Sequence, residues 1–460
     1  MKQENTDGMN ERVIIPAYQR AFLSRIISIP SVGGYPEEGA PYGVEPRRVL
    51  QVFLDEAREN GFRTGIEGER VGWIEFGEGE KLIGIICHLD VVPVGNGWDS
   101  DPFTLTIRAD EFGQESLYAR GIVDDKGPAC ASFFAMLELK EENRIPLNYR
   151  VRLILGTDEE RGCSCIQYYA KHAEIPNFSI TPDSIFPVIY CEKGIVQLKL
   201  SGENPHNLKA SGGSAVNIVP ASASCDVNGK TITAEGKAAH ASKPHLGVNA
   251  IELLAQKMEK QGVNLSDYPI MKFVRDFDAE GFNGCKASGD YGDLTYNIGL
   301  LNTTEDDCEL WVDLRIPYDI EQDFFIEKLT KKASEYGLET KVTINMPPLL
   351  KDKNSPEVSM LTDIWKRHID KFAGFKEEYR DIHTAPKTVG VGTYARHIPN
   401  TIAFGIQAPW QTDQCHQANE HVSVTDYLQW IQIMKEFMFS YNQVLADIGF
   451  DPLQAAAYDR

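Results

Sequence analysis

The sequence predicts a two-domain α/β chain in which a smaller α+β unit interrupts a larger α/β one. Three observations predict it. Short apolar runs alternate with helical periodicities through residues 1–186, strands come to the fore between 187 and 346, and helix–strand alternation returns over 347–460. The expected layout is one catalytic-sized unit in two parts, 1–186 and 347–460, with 187–346 inserted.

The elements follow in order. Tyr18, Phe22 and Ile26, with Leu23 and Ile27, repeat at helical spacing from about Ala17 and stop before Pro30. A second helix is expected from Glu45 to about Glu59, where Asn60-Gly61 ends it. Val71–Phe76, Leu82–Cys87, Val151–Leu155 and Phe178–Ile180 read as strands, and Pro128 suits the first turn of a helix beginning there. In the insert, Val196–Leu200, Thr231–Ala234, Thr295–Leu300, Leu310–Leu314 and Lys341–Ile344 read as strands. Helices fall near Ala250–Lys260 and Asp323–Glu335. Pro347-Pro348 and Asn354–Pro356 mark the return, and helices near Glu357–Phe372 and Thr425–Tyr441 complete the chain.

Composition narrows the function. Of 460 residues, 46 are Lys or Arg and 67 Asp or Glu, a formal charge of −21. So acidic a chain repels phosphate backbones, and no basic stripe offsets it, so no nucleic-acid partner is expected. No apolar run approaches the ~18–20 residues of a membrane span. The start, MKQENTDGMN, lacks the basic-then-apolar pattern of a secretory signal. The nine cysteines include no Cys-X-X-Cys pair, which fits reduced thiols and a cytoplasmic location.

Five segments carry candidate chemistry. In Cys87-His88-Leu89-Asp90, at the end of an apolar strand, His88 and Asp90 share a face, so Asp90 is placed to orient a metal-binding His88. Arg120–Pro128 (RGIVDDKGP) is a polar turn opening a helix, where Asp124 has two carboxylate oxygens with which to bridge cations. Thr157–Gly162 carries Glu159 and Glu160, expected to point apart on extended chain, one to ligate and one to handle a proton. Asp183 follows a short strand, and His416 stands in Cys415–Glu420. Each has a plainer reading alone: a surface histidine, a helix cap, a charged loop, a turn. Taken together they place two histidines and several carboxylates at strand ends of one α/β unit, a donor set suited to two-metal hydrolysis with zinc, manganese or cobalt.

These residues also carry a resemblance. The segments HLDVVPVGNGWDSDPF from His88, RGIVDDKGP, GTDEERG from Gly156, TPDS from Thr181, GKAAHASKPHLGVNAI from Gly236 and CHQANE from Cys415 resemble, in order, the M20 family of metallopeptidases, most closely its PepV-type bacterial dipeptidases. The resemblance implies a zinc-peptidase-like α/β/α catalytic domain and an α+β lid. It implies that His88 and Asp183 bind one divalent metal and Glu160 and His416 a second, that Asp124 bridges them, and that Asp90 orients His88. Glu159 would be the general base, His240 would stabilise the oxyanion, and Asn217, Arg315 and the loop around Gly392 would contact the substrate. A cis Asp124–Asp125 peptide is implied as well. An insert as long as 187–346 matches the type in which one chain completes its own site, so a monomer is expected. The activity implied is hydrolysis of unblocked dipeptides. Its rivals are removal of acyl groups from N-acyl amino acids and a metal-binding module without catalysis; the presence of Glu159 speaks against the last. Cys87, Cys415 and Lys286–Asp293 receive no role.

Overall fold

The strand Lys81–His88 is buried at every residue but Lys81, as befits a parallel strand covered on both faces. In the computed structural model, which describes residues 14–146, 148–227, 229–277 and 288–444, it lies between Tyr149–Gly156 and Phe178–Thr181, parallel to both. Thr401–Ala403 extends the parallel set beyond Phe178–Thr181. On the other side Val71–Gly77 and Arg63–Glu67 add two antiparallel strands.

Alternation along these strands separates two helical layers. Ile83, Ile85, Cys87, Val151, Leu153 and Leu155 share a core with the helices Ala17–Ile27, Val44–Glu59, Lys126–Glu141, Pro356–His368 and Val424–Val444. The intervening Ile86 and Ile154 pack instead with Cys165, Ile166 and Tyr169 of the helix Ser164–His172 and with Tyr394. The result is an α/β/α sandwich. The helix Lys126–Glu141 is buried on most of its surface, and its start is pressed so close to the preceding turn that a Cβ on Gly127 would run into the Ile122 carbonyl. Phe22, Phe53 and Phe133 meet edge-on or tilted with centroids 5.1–5.5 Å apart, and Phe186 stacks on Trp365 at 4.2 Å.

A separate three-stranded antiparallel sheet, in the order His421–Ser423, Glu115–Tyr118, Thr106–Ala109, belongs to the same unit. Its pairing of His421 with Tyr118 brings the segment after Tyr118 alongside the segment before His421. Those two segments carry Asp124 and His416.

The chain divides into two units by its contacts. The first runs to Ile189 and resumes over Asp352–Pro386 and from Thr393; the second is Tyr190–Lys351 with Lys387–Gly392. The second unit is a seven-stranded antiparallel sheet in the order Lys230–Glu235, Ser222–Val227, Lys209–Gly212, Thr295–Thr303, Asp307–Ile316, Gly194–Glu203, Glu339–Met346. Leu198, Leu200 and Val312 of this sheet form one core with Leu254 and Met258 of the helix Ala250–Lys260 and Leu329 of the helix Gln322–Ser334. Asn249 caps the first of these helices, its side chain accepting from the N–H groups of Ile251 and Glu252. The α/β unit with an inserted α+β unit is thus the expected architecture. Lys387–Gly392, expected within 347–460 of the first unit, groups by its contacts with the second, where Lys193 donates its N–H to Val389 O. Of Lys286–Asp293, the described part is a small hairpin pairing Ser288 with Asp293 and Gly289 with Gly292.

Candidate active site

Three of the site residues leave the carboxyl ends of adjacent parallel strands, where open α/β sheets build their sites. His88 ends the central strand; Glu160 follows Tyr149–Gly156, and Asp183 follows Phe178–Thr181. His88 Nε2 lies 2.9 Å from Asp124 Oδ1 and 3.8 Å from Asp183 Oδ2. His416 Nε2 lies 3.1 Å from both Asp124 Oδ2 and Glu160 Oε2. Asp124 therefore presents one oxygen to each histidine. Donor atoms of His88, Asp124 and Glu160 all fall within 4.8 Å of one another. All five residues expected as metal ligands meet in this one cluster.

The electrostatics are those of buried carboxylates and imidazoles set against one another. Burial alone would raise Asp124, but hydrogen bonds from His416 and His88 hold it below the ordinary carboxylate range. Burial and the charge of Asp124 push Asp183 up to about 7. Burial works against protonation of His88 and His416, yet the carboxylates around them raise both well above the usual histidine value. Glu160 Oε1 is buried with no hydrogen-bond partner, a free acceptor of the kind that burial tolerates when a cation takes it. Imidazole nitrogens and carboxylate oxygens fit zinc, and also manganese or cobalt.

Asp90 sits behind this cluster, itself buried. The Nδ1 of His88 is 2.9 Å from the Asp90 backbone oxygen and 3.5 Å from its carboxylate. That carboxylate instead accepts from the backbone N–H groups of Glu159 and Glu160, both at 3.1 Å. Here the structure departs from expectation: Glu159 and Glu160 lie in a turn, not on extended chain, with Gly162 and Cys163 donating back to Glu159 O and Asp158 O. The turn suits the acidic sequence because Asp90 gathers its N–H groups. Glu159 is raised well above the usual carboxyl value by burial first, then by Asp183, Glu160 and Asp124. The Cys163 thiol approaches Glu159 Oε1 at 3.6 Å. The Asp124–Asp125 peptide is cis, and Asp125 accepts the His88 N–H at 2.9 Å.

The remaining candidates belong to the second unit. His240 Nδ1 is 2.7 Å from Ser242 Oγ. Asn217 is half-buried, its carbonyl accepting from Ala241 N–H. Arg315 is buried, forked onto Asp313 at 2.5 and 3.0 Å, and donates from Nη1 to Gly390 O at 2.9 Å. Gly392 ends the same short segment. Two residues escaped the sequence reading: Asp125, which resembled an ordinary helix cap, and Glu420, which stood in the CHQANE segment with no assigned task.

The fold and cluster can be set beside known proteins. A "Putative dipeptidase" of Staphylococcus aureus (strain bovine RF122 / ET3-1) is 30% identical over 465 residues, covering 91% of this chain and 96% of that protein. Among solved structures, the di-peptidase Dug1p of Saccharomyces cerevisiae aligns with a TM-score of 0.57 at 13% identity, covering 93% of this chain and 96% of that one. The M20 family metallo-carboxypeptidase Sso-CP2 of Sulfolobus solfataricus aligns at 0.56 and 18%, covering 92% and 99%. At those identities the two structures speak for the fold alone. Residues 84–440, which hold every candidate residue of the site, match the model of Peptidase family M20/M25/M40. With the fold, the donor cluster and that match in agreement, the chain belongs to the M20 family of peptidases.

Proposed function

We propose that this M20 peptidase is a metal-dependent dipeptidase that hydrolyses unblocked dipeptides. The observation that carries the reading is the cluster of His88, Asp124, Glu160, Asp183 and His416 with Glu159 on the turn beside it. The 30% identical relative called a dipeptidase supports the substrate class.

His88 and Asp183 would hold one divalent cation, Glu160 and His416 the other, and Asp124 both. Two zinc ions, or manganese or cobalt, supply Lewis-acid activation of water and of the scissile carbonyl when bound. Glu159, whose carboxyl burial already disposes to accept a proton, takes the proton of the attacking water and delivers it to the leaving amine. Asp90 holds Glu159 and Glu160 by their backbone and His88 through its own carbonyl. His240 is assigned to the developing oxyanion, and Asn217, Arg315 and the Gly392 loop to the substrate. Because Arg315 is already forked onto Asp313, its share in carboxylate recognition runs through Gly390, whose loop it ties down.

The protein would act as a cytoplasmic monomer; a gel-filtration mass of twice 51.5 kDa with activity lost on dilution would overturn the monomer. Among the described residues no helix is long and apolar enough to cross a membrane. The functional test compares free, N-acetylated and C-amidated dipeptides with chelator-stripped protein and zinc, manganese or cobalt added back. Metal-restored cleavage of free dipeptides alone is expected. Preferential cleavage of acetylated compounds would make the enzyme a deacylase instead.

A further inference from the structure

Glu420 is fully buried, and its carboxylate meets the donor cluster through the backbone N–H of Asp124. Its oxygens are fully engaged by the loop that carries Asp124. Oε2 takes Arg120 Nη1 at 2.7 Å and Gly121 N–H at 3.1 Å; Oε1 takes Val123 N–H at 2.8 Å and Asp124 N–H at 3.2 Å. The backbone oxygen of Glu420 accepts from Ala119 N–H as well. Arg120 returns along the same path, donating to Gln417 O at 3.3 Å with its guanidinium over the Trp98 ring.

One side chain thus ties the loop of Asp124 to the loop of His416, four residues before it. The second loop needs a tie, since His416 and Asn419 both have left-handed backbones, at φ 64° and 59°, conformations that non-glycine residues hold at a cost. Asp124 and His416 come from distant parts of the sequence, and the 3.1 Å between them is what a shared cation would depend on.

We propose that Glu420 is a positioning residue that fixes the spacing of Asp124 and His416 and thereby sets the affinity for the cation those two residues share. It touches neither substrate nor cation and acts through the backbone of the bridging aspartate. This rests on the ligand assignment above. Geometry makes the acceptor count decisive: four N–H donors converge on two oxygens, and Glu420→Gln replaces one oxygen by an amide that is itself a donor.

The experiment measures zinc and manganese affinity and stoichiometry on folded full-length protein, with dipeptide kcat and KM. For Glu420→Gln, affinity at one of the two positions should fall about 10- to 100-fold, the scale of losing a group that orients a metal ligand. Activity should then recover as metal is raised, with KM unchanged. Wild-type affinity at both positions, with only a lower melting temperature, would overturn the proposal. Should Glu420→Gln not fold, Arg120→Lys keeps the charge and loses the guanidinium that reaches both Glu420 and Gln417 O, and a several-fold weaker affinity is expected; unchanged affinity again overturns it. Glu75→Gln is the control. Glu75 is a buried carboxylate bonded to Arg63, Arg150 and Arg152, so this variant should lose stability while keeping both affinities. If it loses metal as Glu420→Gln does, the effect is general loosening and the proposal fails. Asp124→Asn separates the two readings: intact metal binding there removes the ligand assignment, whereas lost binding beside an unaffected Glu420→Gln removes only the role of Glu420.

Discussion

The carboxylate of Asp90 receives the backbone N–H groups of Glu159 and Glu160 at equal distances of 3.1 Å. One buried side chain therefore fixes two neighbouring residues with different assignments, a proton carrier and a ligand. Asp90→Asn keeps the shape but turns a donor toward one of those N–H groups, leaving it unsatisfied. Activity is expected to fall about 10- to 100-fold, read as kcat at saturating metal. A kcat within twofold of wild type would show that the turn holds itself.

Glu159→Gln removes proton transfer and leaves the ligand set intact. The expected loss in kcat is about 10²- to 10⁴-fold, with metal content by elemental analysis unchanged. An active variant would take Glu159 out of its assigned role.

Stripping the metal should abolish activity and destabilise the first unit, because Asp124, Glu160 and Asp183 would be left crowded and buried. At a metal concentration about a thousand times Kd, saturation of one site contributes about 4 kcal/mol. The chelated protein should melt on the order of 10 °C lower, by calorimetry, and readdition of zinc, manganese or cobalt should restore both properties.

Arg315→Ala is expected to act twice. It takes the charged partner from the buried Asp313 carboxylate, which keeps Gln197 as a neutral donor, at about 3–5 kcal/mol for breaking a buried pair, and it removes a donor from Gly390 O. The melting temperature should fall and KM for dipeptides should rise. A lower melting temperature with unchanged KM would make Arg315 purely a brace of the second unit.

A further pH signature comes from His397. Burial, then the charge of Arg396, lowers its pKa from 6.5 to about 4. The fold therefore favours neutral His397, and the unfolded chain binds a proton first as pH falls. This contribution to stability is whole above pH 6.5 and is lost by about pH 4, amounting to about 3 kcal/mol at 1.36 kcal/mol per unit. Denaturant unfolding between pH 7 and 4.5 should show His397→Leu losing less stability than the parent; parallel curves would refute the assignment.

Much of this was legible in the residues. Leu82–Cys87 and Val151–Leu155 read as strands because parallel strands are apolar on both faces, and the structure only lengthens them to Lys81–His88 and Tyr149–Gly156. A helix near Ala250–Lys260 was expected, and the structure adds Asn249 as its cap. Arg63–Glu67, Thr106–Ala109 and Lys209–Gly212 were not, since they are short and largely polar and owe their strand form to neighbours supplied from elsewhere in the chain. That His88, Asp124, Glu160, Asp183 and His416 would meet was readable from residue chemistry and the resemblance. Glu420 was not, because its work is done on backbone N–H groups some 300 residues away, which leave no trace in local pattern.

The division of the first unit around the second has a consequence for how the enzyme is made. During synthesis, His88, Asp124, Glu160 and Asp183 emerge long before His416 and Glu420, whereas Tyr190–Lys351 is one uninterrupted stretch. Domains fold as units while the chain grows, so the inserted unit reaches its sheet first, and the earlier half must wait for its partner segments. The cluster around Asp124 is then among the last things the ribosome's product completes, and a nascent chain stopped before residue 416 would carry four of its five residues and lack His416.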